Sequence, residues 1–382
     1  MMRIGYVIGA LGRGGAELQL MRLAEGLTQR GHHVHVLAYD DASSFDDDLR
    51  RASVRVTVGR RPRSRLTKLR TVRQWLSTNE FDVVHAILER AASLTVVARQ
   101  PRRKPPVVVT DISTATYPTS TVLQWTTLLT YAGADRVVTE NDVNRANLER
   151  LAPWLRGKVR LVRNGLDLDR FAPAVDGARL GEAEATFVFC VVGTLYAPKN
   201  PFGVIDAVAE LEHRGHTNFR VDWYGRLGLG GDTPEVERII AYANERHVAD
   251  RLVFHGDVAD IAQVYRKSDA LLHVALREGF PNAVTEGTAS GLPMVVSDVS
   301  DLPLLIEEAE NGYLVDATDP VSIANGMERM LSTPRATRAD MGRRSRELAM
   351  RWFAMQRYID DYEALYAELN DAARSRANRS RQ

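Results

Sequence analysis

Short, nearly unbroken apolar runs alternate with longer windows of helical periodicity along this chain. This alternation restricts the fold more than any other feature. In the first half "RIGYVI", "HVHVLA", "VRVTV", "FDVVHA", "PVVVT" and "DRVVT" read as strands. Strands apolar on both faces suit a parallel sheet covered by helices on each side, not a half-solvated antiparallel one. Between them lie helices. The first puts Leu20, Met21, Ala24 and Leu27 on one face, and Gly31 fits its C-cap. Strand–helix alternation of this kind implies an open, doubly wound α/β sheet.

The pattern pauses over residues 164–186, a stretch of Asn-Gly, Pro, Gly and small residues that reads as a linker. It then restarts with "FVFCVV", "FRVDWYG", "RLVFHG", "ALLHV" and "PMVVS". Two doubly wound domains facing a cleft are expected, as suits 382 residues. The N-terminal domain is expected at 1–172 and the second at 173–350. A C-terminal helix at 351–372, with Phe353, Tyr358, Tyr362, Leu365, Tyr366 and Leu369 in its apolar pattern, is expected to cross back to the first domain. The tail at 373–382 is basic and polar and reads as disordered.

Several classes are excluded or disfavoured. A hydrophobic content of 45% supports a large core without disulfide or metal staples. The single cysteine, Cys190, lies in an apolar run, which excludes a disulfide framework and points to a reducing, cytoplasmic location. No apolar run approaches the ~18 residues of a membrane span. The apolar start is short, broken by Gly and leads into a helix, so it makes a poor signal peptide. Net charge is +1, with no bias toward nucleic acid. Residues 60–76, "RRPRSRLTKLRTVRQWL", nonetheless hold seven Arg or Lys and no acid. Leu66, Leu69, Val72 and Leu76 recur there at helical spacing, so a solvated basic helix face is one reading. Contact with an anionic membrane, at its inner face, or with an anionic acceptor is the other, with "PRRKPP" at 101–106 extending the patch. Nucleic-acid binding is not expected, because aromatic interleaving is missing.

Ligands of open parallel sheets sit beyond the carboxyl ends of the strands. After the first strand, Gly12, Gly14 and Gly15 would let a ligand approach the backbone at a helix N-terminus, although Glu17 stands where a dinucleotide fingerprint requires a third Gly. His85 ends "FDVVHA" and is either a core histidine or a cleft-facing donor to substrate. Lys199 and Asn200 in "GTLYAPKN" fall near the start of a helix, where a lysine meets phosphate. Gly225, Gly228, Gly230 and Gly231 form a loop around Arg226 that is either an anion contact or a mobile surface loop. In "LREGFPNAVTEG", Glu278 lies in a loop and Glu286 about one turn into a helix whose first turn takes Pro281. Neither acid has His, Asp or Cys companions at metal-ligand spacing, so no metal is expected. A carboxylate such as Glu286 can accept two hydrogen bonds from a ribose cis-diol, and Glu278 would reach what lies beyond the phosphates.

The combination of "GGAE", "DVVH", "RNGLDLDRF", "GTLYAPKN" and above all "EGFPNAVTEG" with "SGLPMVVSD" resembles the family 4 retaining glycosyltransferases, which have the GT-B fold. The resemblance covers most of the chain. It implies that Glu286 binds the nucleotide ribose and that Glu278 contacts the transferred sugar. Phe280, Pro281, Asn282 and Ala283 would shape the donor pocket, and Lys199 would hold the diphosphate. Gly14 and Gly15 would contact phosphate or acceptor, and His85 the sugar near its reacting carbon. Many members carry an Arg where this chain has Thr194, so one cationic contact is lacking or Arg226, beside Gly225, replaces it. The implied reaction moves a sugar from a nucleotide-diphosphate donor, a UDP-sugar by preference, to an acceptor hydroxyl. It proceeds with retention and needs neither metal nor cofactor. The leaving phosphate would act as base while Lys199 and the helix N-terminus stabilise its charge.

Three other readings use the same residues. A nucleotide-sugar 2-epimerase would convert donor without acceptor. An NAD-dependent oxidoreductase would use Asp40 and Asp41 on a ribose, against the broken Gly fingerprint. A non-catalytic sugar-nucleotide-binding subunit would account for Thr194.

Overall fold

A computed structural model of the chain describes residues 1–12, 14–40, 46–59, 64–101, 104–112, 121–174, 186–228 and 233–379, with residues 46, 121, 233 and 377–379 described by backbone alone. Asp41, residues 60–63, Arg102, Arg103, residues 175–185 of the expected linker, Gly230, Gly231 and the last three residues lie outside them. The chain forms two compact units, Met1–Gly165 with Met355–Gln382, and Leu166–Ala354.

Unit 1 holds strands β1 (Arg3–Ile8), β2 (His33–Ala38), β3 (Arg55–Val58), β4 (Val83–Ile87), β5 (Val107–Thr110), β6 (Arg136–Thr139) and β7 (Val159–Leu161). They form one sheet in the order β3-β2-β1-β4-β5-β6-β7, parallel throughout. Its helices are α1 (Gly15–Gln29), α2 (Asp46–Arg51), α3 (Arg65–Thr78), α4 (Glu89–Arg99), α5 (Thr121–Tyr131) and α6 (Asp142–Leu151). The two-residue period of a strand divides the buried side chains between two cores. Ile4, Tyr6 and Ile8 of β1 pack with Leu20, Leu23 and Leu27 of α1. Val7 points the other way, into a core with Trp75 of α3, Val96 of α4 and Leu128 of α5. Gly5 faces the same side as Val7, and a Cβ there would lie 2.8 Å from the Trp75 ring.

Unit 2 repeats the plan with β8 (Phe187–Val192), β9 (Phe219–Tyr224), β10 (Leu252–Gly256), β11 (Ala270–His273), β12 (Met294–Ser297) and β13 (Gly312–Val315). Their order is β10-β9-β8-β11-β12-β13, again all parallel. The helices are α7 (Pro201–His213), α8 (Thr233–Glu245), α9 (Ile261–Arg266), α10 (Asn282–Ala289), α11 (Leu302–Ala309), α12 (Pro320–Ser332) and α13 (Arg335–Trp352). Phe187, Phe189 and Val191 enter a core with α7, α8 and α12. Cys190 enters the opposite core with α9, α10, α11 and α13, where its thiol is buried.

The last helix, α14 (Met355–Arg379), belongs to unit 1, where Tyr358, Tyr362 and Tyr366 complete the core beside α1. Phe353, grouped by its spacing with that aromatic stripe, lies before the break instead. It packs in unit 2 with its ring 5.6 Å from Phe280. Leu166 and Phe171, within the stretch read as linker, are likewise buried in unit 2. That burial puts the division at Gly165/Leu166, ahead of the expected 172/173. Leu166 N donates to Phe353 O at 2.8 Å, so the chain's exit and return lie side by side. The helix continues to Arg379, through most of the tail expected to be disordered.

Candidate functional site

In unit 2 the strand order reverses at β8, which lies between β9 and β11. Such a switch point leaves a crevice at the carboxyl ends of the strands. Lys199 follows β8 and Glu278 follows β11, so the two stand on either side of it. Their side chains form an ion pair, both largely buried. The turn Ala197–Lys199 carries the lysine and is fixed by its neighbour. Asn200 adopts a left-handed conformation, φ 62°. Its amide donates to Val274 O at 3.2 Å and Ala317 O at 2.7 Å, and its oxygen caps α7 by accepting from Gly203 N. Leu276 N donates to Pro198 O at 2.9 Å, tying the glutamate loop to the lysine turn. The Ser300 hydroxyl donates to Gly279 O, holding the loop from its other side.

Glu278 has a second neighbour that the sequence did not single out. His273, the last residue of β11, places Nε2 3.2 Å from Glu278 Oε1. The contact lies off the hydrogen-bond line, and it is an ion pair only when the ring is protonated. Burial alone would raise the pKa of Glu278; the His273 ring and the Lys199 ammonium outweigh that and hold the carboxyl at about 2. The His273 pKa is lowered, chiefly by burial and against the pull of Glu278. The carboxylate is therefore ionised at neutral pH, ready to accept hydrogen bonds from hydroxyls.

The loop then enters α10. Pro281 is the N-cap residue and Asn282 the first helical one, so the proline stands just outside the first turn in which it was expected. A proline has no side chain with which to cap, and none does so here. The helix N-terminus keeps its positive dipole end for an anion. Phe280 is buried with its ring against Phe353, and Ala283 is buried behind it. Glu286 lies one turn in, partly exposed, and Tyr265 of α9 donates its hydroxyl proton to Glu286 Oε2 at 2.9 Å. That hydroxyl stays protonated, because burial and the adjacent carboxylate both raise its pKa.

Beyond β8 and β9 the sheet continues as a narrow bridge between Leu195 and Leu227. Leu195 N donates to Arg226 O at 2.8 Å, which sets Thr194 and Arg226 on adjoining strand extensions. Arg226 is exposed. Gly225 takes φ +135° in this approach, and a Cβ there would lie 2.4 Å from Gly193 O. Only glycine fits. A Cβ on Gly193 would in turn come within 3.3 Å of the Lys199 side chain. Lys199, Glu278 and Glu286 with their supports thus share the carboxyl end of one sheet. Among the described residues no three His, Cys, Asp or Glu side chains group as metal ligands.

Gly14, Gly15 and His85 belong to unit 1. Gly14 is the N-cap residue of α1 and Gly15 its first helical residue, both exposed. The Glu17 carboxylate folds back over this turn, so that a Cβ on Gly14 would fall 2.3 Å from it. The α1 N-terminus is therefore faced by the chain's own anion. His85 is fully buried rather than open to a ligand. Its Nδ1 lies 2.7 Å from the Tyr366 hydroxyl and its Nε2 2.6 Å from Thr110 Oγ1. Burial pushes its pKa down to about 3, so the ring is neutral. Of the two sequence readings its burial and side-chain partners match the core histidine.

Residues 13–170 match the family described as Glycosyltransferase Family 4, and residues 176–348 match Glycosyl transferases group 1. The UDP-Gal:alpha-D-GlcNAc-diphosphoundecaprenol alpha-1,3-galactosyltransferase of Escherichia coli is 26% identical over 56% of this chain and 54% of its own length. The D-inositol 3-phosphate glycosyltransferase of Saccharomonospora viridis is 30% identical over 64% of this chain and 58% of its own. The chain thus spans little more than half the length of these relatives. Among solved structures, Anabaena HepE in complex with UDP and glucose superposes with a TM-score of 0.83 at 20% identity, covering 96% of this chain and all of that one. The sucrose-phosphate synthase of Thermosynechococcus elongatus gives 0.78, also at 20%, over 97% of this chain and all of its own. At such identities the likeness speaks for the fold, which is GT-B.

Proposed function

The chain belongs to the family 4 glycosyltransferases, and from that premise we propose that it moves a sugar from a UDP-sugar to an acceptor hydroxyl with retention at the anomeric carbon. The observation that carries this reading is the Lys199–Glu278 pair beside Glu286 at the switch point of unit 2. The carboxylate of Glu278 pairs with Lys199. A diphosphate would take over the ammonium, together with the uncapped N-terminus of α10, and would release Glu278 to the sugar hydroxyls. Glu286, oriented by Tyr265, would accept the two ribose hydroxyls. Phe280, Pro281, Asn282 and Ala283 would line the donor through their backbone. Arg226, on the strand extension next to Thr194, is the cation available to complete the clamp. As the glycosyl–phosphate bond loosens, Lys199 and the helix dipole meet the charge that grows on the leaving group. The leaving phosphate then takes the acceptor proton. Gly14 and Gly15 are assigned to the acceptor, since Glu17 beside them suits hydroxyls better than phosphate. His85 is assigned to the support of unit 1. The reaction is proposed to run without a divalent cation, so EDTA should leave its rate unchanged.

The relatives named above point the same way: one carries a UDP-galactose donor in its name, and HepE was solved with UDP. A thermal-shift screen of UDP, GDP, ADP and their sugars, followed by transfer of labelled sugar to candidate acceptors, tests the proposal. Glu278→Ala should abolish most turnover and Glu286→Ala should mainly weaken nucleotide binding. Near wild-type behaviour of both would overturn it. NMR of the donor alone separates transfer from 2-epimerisation.

Contact of residues 60–76 with an anionic membrane belongs to the same proposal. Of the described cations there, Arg65 and Arg70 are exposed. Lys68 pairs with Asp40 at 2.5 Å, and Arg73 donates to Ala98 O and Gln100 O.

A further inference from the structure

Helix α5 has an unusual distribution of polarity. Over Thr121–Tyr131 it has no charged residue. Thr127, Leu128 and Tyr131 face the core. The opposite stripe, at the spacing i, i+3, i+4, i+7, consists of Val122, Trp125, Thr126 and Leu129, and all four are exposed. Val122 is 74% and Leu129 61% accessible, with Leu123 beside them at 50%. A surface helix ordinarily turns polar residues outward. Here the outer stripe is as apolar as the inner one.

A second element widens the patch. Trp154, 41% exposed, sets its ring 6.1 Å from that of Trp125 and donates its indole N–H to Leu128 O. Five large exposed apolar side chains are thus gathered in one place, two of them tryptophans. The chain around Trp154 is cationic: residues 150–163 contain Arg150, Arg156, Lys158, Arg160 and Arg163 and no acid. Arg163 is paired with Asp142. Arg150 and Arg156 are exposed, and Lys158 reaches the carbonyls of Ala132 and Ala134 just past the end of α5. Contiguous exposed apolar surface of this kind marks an interaction site.

We propose that the face made by α5 and Trp154 docks on an anionic membrane surface, with the apolar side chains in the headgroup boundary and the exposed Arg150 and Arg156 against lipid phosphates. Tryptophan at the rim of an apolar wedge flanked by cations is the composition such interfaces favour. Charge decides against a second copy of the chain. A two-fold dimer through this patch would bring the cationic segments of both copies together. No described helix is long and apolar enough to cross a membrane, so the contact is peripheral. The surface is distinct from residues 60–76 and from the donor site, and it gives the transferase of the preceding section a lipid-facing side.

The test is co-sedimentation of the full chain with vesicles of neutral phosphatidylcholine, with and without phosphatidylglycerol, while UDP thermal shift is followed in parallel. The wild type should bind only the anionic vesicles, and brominated lipid should quench its tryptophan emission. Leu129→Gln, Trp125→Gln and Arg156→Glu should each weaken partition about tenfold while keeping the UDP shift. Since these side chains are exposed, the variants should fold. Equal binding by wild type and variants, or no dependence on anionic lipid, would overturn the proposal. So would a concentration-dependent dimer in sedimentation velocity that Leu129→Gln dissolves. Loss of the UDP shift in the wild type would count against the donor reading alone.

Discussion

The Tyr265 hydroxyl donates a 2.9 Å hydrogen bond to Glu286 Oε2. It joins the helix before β11 to the helix after it and fixes the rotamer of the carboxylate proposed to read the ribose. Hydrogen bonds to a charged group contribute more than neutral ones. Tyr265→Phe should therefore raise the Kd for UDP about five- to tenfold, with kcat at saturating donor nearly unchanged. Calorimetry and steady-state rates measure both, and a fall in kcat with Kd intact would contradict the positioning role.

Glu278 should leave a signature in pH as well as in turnover. Its carboxyl titrates at about 2 in the fold, against 4.5 when unperturbed. Between those values the unfolded chain binds the extra proton, so stability from this group is present above pH 4.5 and is lost as pH falls toward 2. Glu278→Gln should flatten that dependence. Urea unfolding from pH 6 to pH 3 should show wild type and variant converging on acidification, by up to about 1.4 kcal/mol per pH unit.

Glu140 should behave in the opposite sense. Burial raises its pKa to about 7, although Asn164 donates to the carboxylate at 3.1 Å. The folded state keeps a proton that the unfolded state has released. The stabilisation is complete below pH 4.5 and lost as pH rises through 7. Glu140→Gln keeps an acceptor for Asn164 and carries no charge. It should match the wild type at pH 4.5 and exceed it at pH 8 by about 3 kcal/mol, read from urea midpoints.

His85→Phe removes the partners of Tyr366 and Thr110 while keeping a ring. It should cost about 2–4 kcal/mol of stability and leave kcat of the folded fraction within about threefold. A hundredfold loss of kcat at unchanged Tm would return His85 to the chemistry.

The nearly unbroken apolar runs were legible because burial on both faces demands them. "HVHVLA" and "FVFCVV" coincide with β2 and β8. The two strands the sequence did not reveal, β7 and β13, are short edge strands paired on one side only and half-buried, so they carry little apolar pattern. Lys199, Glu278 and Glu286 could be placed after strands or on a helix because Gly, Pro and Asn mark the turns around them. Their supports could not. His273 and Tyr265 sit inside apolar elements where a core role is the ordinary reading. Only the fold, by bending the loop after β11 back toward His273 and setting α9 next to α10, brings them to the carboxylates. His85 shows the converse. Its position at a strand end suggests a ligand, but Tyr366, 281 residues further on, claims its ring.

The exit at Gly165 and the return at Met355 make unit 2 an insertion in the chain of unit 1. All seven strands of the first sheet have been synthesised by Leu161, yet the tyrosines of α14 that cover one of its faces follow only after the whole of unit 2. On the ribosome the inserted unit is complete before the enclosing one. For tens of seconds, at roughly 5–20 residues per second, Tyr6 and His85 must wait without their last partner. Of the two units, the one begun first is therefore the last able to finish folding.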